Sequence, residues 1–440
     1  MKVETNPDKG YYILKVPRSN RAAVADLMAY RGLTFSTAAS SSNEAVLFTP
    51  NPYALADLAG PECVELAPYR RQIEASRATE GVGTFRLPPG KELWDYQKAS
   101  LDYVLKRGGG IVGDEPGLGK TPISIAFCNE KEASRVLVIV PASLRIQWAE
   151  RIREWSTIPK VKIATMLKVK DGIHPTANFQ VMSYDAARNP SIIRAISKSK
   201  WDVLICDEAH KMKNMEALTT RAILGNGKGE YNHGEIKMPA IASYCRHKLA
   251  LTGTPLLNRP SEAFTLIRHF DHEAIDFIGW DDFKARYNKQ ADMTTIDGKR
   301  FKLESTSLEL ELQNRLRVNV MARHLKRDVM TQLKVPRFSV VRCEENRAVS
   351  GALEVEGLLG LEIDEIQTTK DFEILGHIAE ARRLMGEALA PQIAEYARDF
   401  LEGSVEKLVI FGWHISVLDI FEEELSRFGT ARVDGRKSAQ

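Results

Sequence analysis

The chain has 440 residues and a mass of 49.3 kDa, more than one small core requires, and a soft prior of roughly 150 residues per domain implies two or three domains. Hydrophobic residues at 44% and charged residues at 27% are ordinary for a globular protein, which excludes a disordered chain, and no run of about 18 apolar residues could span a bilayer. A formal net charge of +3 announces no nucleic-acid partner, and the scattered Cys63, Cys128, Cys206, Cys245 and Cys343, without a C-x-x-C pair, argue against both a zinc ribbon and a disulfide framework. The opening MKVETNPDKG lacks the apolar core of a secretory signal. An intracellular monomer with no membrane partner is therefore expected, cytoplasmic if the source is prokaryotic or a phage.

In chain order, the apolar residues 11–15 read as a strand, residues 20–30 as a helix and AVLFT at 45–49 as another strand, which together suggest a small α/β domain over 1–85. Its charges nearly balance, so a docking role toward a protein partner is the expectation. The glycines and prolines of GVGTFRLPPG, residues 81–90, mark a boundary. Short apolar runs then alternate with helical patterns: GIVGD, RVLVIVP, FQVMSYD, WDVLICDE and HKLALTGTP. Continuous apolar strands of this kind indicate a parallel sheet covered on both faces, with ligands bound beyond the carboxyl ends of the strands. GNGKGEYNHGEIK, residues 225–237, reads as an exposed loop or hairpin, and residues 350–401 as helical. A fresh strand-helix-strand begins with KLVIF at 407–411 and closes with ARVDG, five residues before the end, so the last domain is expected to be interrupted.

Three strand ends carry residues suited to chemistry. DEPGLGKT, Asp114 to Thr121, fits the phosphate-loop pattern G-x-x-x-x-G-K-[ST] except that Asp114 stands at the first glycine. Gly117 and Gly119 let backbone amides face an anion, Lys120 can reach the β and γ phosphates, and the Thr121 hydroxyl can ligate magnesium at a helix start. LICDEAH ends an apolar strand in two carboxylates, of which Asp207 could hold magnesium and Glu208 could orient or deprotonate an attacking water. LALTGTP offers the hydroxyls of Thr252 and Thr254 on either side of a glycine. Trp148 and Trp155, at helical spacing after Pro141, read as core residues and not as base-stacking platforms.

DEPGLGKT, DEAH and LTGTP in this order resemble motifs I, II and III of helicase-like motors of the second superfamily, and the D-E-x-G-L-G-K-T form is similar to that of the SWI/SNF family. LWDYQKASLDYVL resembles the adenine-recognising segment upstream of motif I, VPASLRIQWAERI motif Ia, and KLVIFGWHISVLDIFEEEL motif IV in the form of the annealing-helicase branch. The resemblance runs over residues 93–440 and departs from the family where Pro122 and Ile123 follow GLGKT and where LKVPR replaces the usual leucine-proline-x-lysine. Motifs V and VI are not reached. Arginine fingers from motif VI contribute on the order of 10³ to 10⁵ in rate in phosphoryl-transfer enzymes, so weak ATP hydrolysis by this chain is expected.

What the resemblance implies is an α/β fold with a RecA-like phosphate-loop lobe around a parallel sheet over residues 86–345, the start of a second RecA-like lobe over 346–440, and the N-terminal α/β domain. It further implies an ATPase, with ATP and Mg2+ as its nucleotide and ion, that moves along double-stranded DNA without separating the strands. The alternative is a non-catalytic nucleotide- or DNA-binding module derived from such a motor. In this frame Gln97 reads adenine, while Asp114, Glu115, Gly117, Leu118, Gly119, Lys120 and Thr121 bind ATP. Lys120, Asp207, Glu208 and His210 carry hydrolysis, with Thr121 and Asp207 on the metal and Thr252 and Thr254 as coupling residues. Ser143, Arg145, Ser183, Tyr184, Lys213 and Asn214 are then expected to contact DNA phosphates. The basic group Arg315, Arg317, Arg323, Lys326 and Arg327 is expected either to line DNA or to pack internally.

Overall fold

The structure is a computed structural model that describes residues 2–6, 10–226, 230–233, 236–253, 261–270, 274–275, 279–294, 300–306, 308–332, 339–344, 347, 349–351, 372–403 and 406–434. Contacts divide it into two compact units, Met1–Leu333 and Lys334–Gln440.

In the first unit, strands β1 (Lys2–Asn6), β2 (Tyr11–Pro17), β3 (Thr34–Phe35) and β4 (Glu44–Thr49) form an antiparallel sheet in the order β1-β2-β4-β3. The helix Arg21–Arg31 shares a core with it through Leu27, and is capped by the Asn20 side chain at one end and by left-handed Gly32 at the other. The helix Ala67–Arg77 follows.

Strands β5 (Gly109–Val112), β6 (Val136–Val140), β7 (Ile163–Thr165), β8 (Phe179–Ser183) and β9 (Trp201–Asp207) belong to a second sheet, and β10 (Glu230–His233) with β11 (Ile236–Pro239) forms a hairpin. β12 (Cys245–Leu251) returns to the sheet, β13 (Asn288–Thr294) pairs with β14 (Arg300–Thr306), and β15 (Met321–Ala322) completes the set. The large sheet runs β15-β5-β12-β9-β6-β8-β7 with every pairing parallel. The sequence explains why both faces are covered. Along β6 and β9, Leu137, Ile139, Leu204 and Cys206 enter one core, while Val136, Val138, Val140, Val203 and Ile205 enter another. The register sets Val112, Leu251 and Asp207 level with one another, so the chemistry-bearing tips emerge along one line.

The N-terminal region packs on the helix Glu309–Asn319. Arg31 forms a two-pronged pair with Asp57, at 2.6 and 3.0 Å, and Asn314 Nδ2 donates to Asp57 Oδ1 at 2.8 Å. The Arg31 pair, with the Asn314 bond, holds the Asp57 carboxyl below its usual range against the opposing effect of burial. Ser76 Oγ donates to Met321 O at 2.7 Å, and Arg323 N donates to Ser76 O at 3.2 Å, so residues next to the first boundary run alongside β15. The 225–237 segment overlaps the β10-β11 hairpin, which extends to Pro239 and is anchored by buried Tyr231, whose hydroxyl donates to Arg188 O.

The second unit contains the helices Phe372–Glu402 and Ile415–Glu424, joined through Ala390, Ala394, Val417 and Phe421. Here the strand-helix-strand expectation is corrected: the helix forms, but residues 407–411 and 431–434 are not in strands. A strand needs a hydrogen-bonded neighbour, and among the described residues neither segment has one. Phe411, Trp413 and Val433 are instead more than nine-tenths exposed.

Candidate active site

The phosphate loop leaves β5 and ends at the helix Lys120–Glu130. Gly117 and Gly119 have φ of +87° and +79°, in the left-handed region that glycine alone enters without strain, so both glycines of the motif are required by backbone shape. Gly119 caps the helix without a side chain, which leaves first-turn N–H groups directed toward the loop, where an anion would be favoured. Lys120 Nζ lies inside the loop, donating to Asp114 O at 2.9 Å and Glu115 O at 3.3 Å. Burial draws its pKa down, opposed by the carboxylates of Asp114, Glu208 and Asp207, so the cation faces the acidic strand end. Thr121 is half-buried at the next helical position. A glycine cradle, an uncapped helix start, a buried lysine and two facing carboxylates form a donor and acceptor set that fits a nucleotide triphosphate with magnesium.

Asp114 is fully buried and turns away from that cradle. Its Oδ2 accepts Ser100 Oγ at 2.9 Å, and its Oδ1 accepts both the backbone N and the Nδ1 of His324 at 2.9 Å. His324 Nε2 meets Ala78 O at 2.9 Å. The residue that breaks the general pattern is therefore the centre of a buried polar network, a correction to its expected place among the ATP contacts. The Gln97 amide braces the phosphate loop: its Oε1 accepts Trp94 N at 2.9 Å and its Nε2 donates to Leu118 O at 3.0 Å. Leu118 is buried beneath, and the Glu115 carboxylate accepts Lys326 N at 2.6 Å.

At the end of β9, Asp207 is 8% exposed. Its Oδ1 accepts Glu208 N at 3.0 Å and its Oδ2 accepts Trp148 Nε1 at 2.8 Å. Burial raises the Asp207 pKa, while the Trp148 bond works the other way. Glu208 has φ of +52°, a strained setting for a residue with a side chain, and its Oε2 lies 3.1 Å from His210 Nδ1. Thr252 is buried, its N–H donating to Val112 O at 3.1 Å, and Gly253 lies so close to the loop that a Cβ there would meet Pro116 Cδ at 2.8 Å. Arg323 Nη1 donates to both Gly113 O at 2.7 Å and Gly253 O at 3.3 Å, tying the first and third motifs together. Thr254 lies outside the described residues.

The expected DNA contacts divide. Ser143, Lys213 and Asn214 are exposed. Ser183 is buried and caps the short helix after β8, and Tyr184 is buried with its hydroxyl donating to Asp207 O at 2.6 Å, so neither reaches a phosphate. Arg145 donates to Ala142 O, Met166 O and Leu167 O and serves as an internal strut. Of the basic group, Arg315 and Arg317 are buried, bonded to Glu311 and to Ser76, whereas Lys326 and Arg327 are exposed. Ser100 and His324 went unnoticed in the sequence, and Trp148 and Arg323 were not linked to the strand tips they touch, because each acts on a partner distant in the chain.

Residues 96–350 match the SNF2-related domain. The human DNA annealing helicase and endonuclease ZRANB3 is 27% identical over 363 residues, covering 79% of this chain and 31% of that protein. The SWI/SNF-related matrix-associated actin-dependent regulator of chromatin subfamily A-like protein 1 homolog of Caenorhabditis elegans is 27% identical over 368 residues, covering 79% and 48%. Among solved structures, the Sulfolobus solfataricus SWI2/SNF2 ATPase core in complex with dsDNA aligns over 79% of this chain and 67% of its own, at 17% identity and a TM-score of 0.42. The chain spans only part of the length of the curated relatives it matches. With the match over residues 96–350 covering more than half of its length, this chain belongs to the SNF2-related domain family.

Proposed function

We propose that the chain is the nucleotide-binding part of an ATP-dependent translocase acting on double-stranded DNA. The observation that carries this reading is the level alignment of three strand tips: the phosphate loop with Lys120, the Asp207 and Glu208 pair, and Thr252. Membership of the SNF2-related domain family and the DNA-directed names of the curated relatives support the same reading.

In the proposed mechanism the N–H groups around Gly117 and Gly119 and the Lys120 ammonium hold the β and γ phosphates. Thr121 and Asp207 would hold magnesium, which when bound neutralises charge on the phosphate oxygens. Glu208, held in its left-handed turn beside His210, orients the water that attacks the γ phosphate and receives its proton. Gly253, in contact with Pro116, and Thr252, bonded beside the loop, sense the change in phosphate occupancy. Ser143, Lys213 and Asn214 are proposed to meet DNA phosphates, which position the duplex and carry no base information.

Calorimetry with ATP and magnesium tests the reading. Wild-type protein should bind, and Lys120→Ala should lose at least tenfold in affinity with an unchanged far-UV spectrum. Equal affinity in the two proteins would overturn the role given to the loop.

A further inference from the structure

We propose that Trp148 is a positioning residue for Asp207 and joins that carboxylate to the surface turn that meets DNA. The inference rests on the readings of Asp207 as a magnesium-holding group and of Ser143 as a contact to DNA phosphate.

Both oxygens of Asp207 already have a donor. Glu208 N holds Oδ1 at 3.0 Å, and the Trp148 indole N–H holds Oδ2 at 2.8 Å. Each oxygen keeps a second lone pair, so the carboxylate can still accept metal-bound water, but its plane is fixed in advance. The Glu208 bond is local to the strand end. The Trp148 bond spans 59 residues and is, among the described residues, the side-chain tether between this carboxylate and another element. Tyr184 adds a second long-range tether by donating to the Asp207 carbonyl at 2.6 Å.

Trp148 is 2% exposed and lies one helical turn inside the helix Arg145–Trp155. The turn immediately before it, Ala142–Leu144, presents Ser143 to solvent. Arg145 fastens that turn to Ala142 O at 2.8 Å, and to the chain beyond β7 through Met166 O at 2.8 Å and Leu167 O at 2.9 Å. Turn and helix therefore move as one body. A displacement of Ser143 by a DNA phosphate is carried over one turn to the indole, and the indole holds the carboxylate. This gives duplex contact a short mechanical path to the nucleotide site through one hydrogen bond.

A tryptophan whose N–H is merely satisfied in a core would behave differently, and substitution separates the two. Trp148→Phe keeps an aromatic ring and removes the donor. Benzothienylalanine at position 148 keeps the shape of the whole indole, with sulfur in place of N–H, and guards against a folding defect in the phenylalanine variant. The full chain is titrated with ATP in the presence of EDTA and then of magnesium, with and without duplex DNA. In wild type, magnesium should raise ATP affinity, and duplex should raise it further. Both variants should keep metal-free ATP affinity and direct duplex binding, lose about tenfold or more of the magnesium-dependent gain, and lose the further gain from duplex. A wild-type magnesium gain in the benzothienyl protein would overturn the positioning role. A duplex effect retained in the variants, or no duplex effect in wild type, would overturn the link to the DNA-facing turn. Absence of any magnesium-dependent ATP binding in wild type would overturn the underlying reading of Asp207, and this inference with it.

Discussion

Replacing Asp114 by glycine would give the chain the residue that the general phosphate-loop pattern holds, and the expected result is a less stable protein. The Asp114 carboxylate is fully buried and accepts three hydrogen bonds at 2.9 Å, from Ser100 Oγ, His324 N and His324 Nδ1. Hydrogen bonds to a charged group contribute about 1.5–3 kcal/mol each, but the three are not additive and are offset by the cost of burying the charge. Removing one partner of a buried pair costs about 3–5 kcal/mol, and that is the expected loss, because His324 and Ser100 would stay buried without their acceptor. Ser100→Ala should cost about 1 kcal/mol, and Asp114→Asn should fall between the two. Urea unfolding followed by tryptophan fluorescence reports chiefly on the first unit, since every tryptophan except the exposed Trp413 lies within Met1–Leu333. A loss below about 1 kcal/mol for Asp114→Gly would refute the view that this aspartate is a structural keystone.

Other consequences are as direct. Gly119→Ala should lower stability by about 1 kcal/mol or more and weaken ATP binding, since φ is +79° and the new Cβ would meet Gln97 Nε2; calorimetry and a thermal melt read both effects. Burial, with Lys248 nearby, draws His269 from 6.5 to about 3. The unfolded chain takes up that proton below about pH 6.5 and the folded chain does not, so stability should fall by about 1.4 kcal/mol per pH unit from there down toward pH 3. Urea midpoints between pH 7 and 5 should therefore slope less steeply in His269→Gln, and identical slopes would contradict the assignment. Arg323→Ala removes the tie between Gly113 and Gly253, and should reduce duplex stimulation of ATP hydrolysis several-fold more than it reduces ATP affinity. Equal losses in the two measurements would count against a coupling role.

The sheet was legible because its strands are continuous apolar runs such as VLVIV between glycine-rich and charged punctuation. The placement of Lys120, Asp207 and Thr252 was legible for a related reason: each stands at or just beyond a strand end, which the apolar run itself marks. Tyr184 was misjudged because a polar group after a strand looks the same in sequence whether it points to solvent or, as here, to a backbone carbonyl 23 residues away. Asp114 was misjudged differently. It belongs to the phosphate loop, yet its side chain turns to His324 and Ser100, and motif spacing carries no sign of which way a side chain turns. The apolar runs of the second unit promised strands that do not form among the described residues, since pairing needs a neighbour that period and composition do not supply.

The run of residues 76–78 beside β15 has a consequence for handling the protein. β15 is the last strand of the large sheet, and its outer side would otherwise present open backbone groups of the kind that recruit another chain. Ser76 occupies Met321 O and the Arg323 N–H, and Ala78 O meets His324, so the N-terminal region seals the sheet against edge-to-edge association. The segment that matches the family begins at residue 96, beyond this seal. A protein trimmed to that segment should form soluble aggregates on size-exclusion chromatography under conditions where the longer chain stays dispersed.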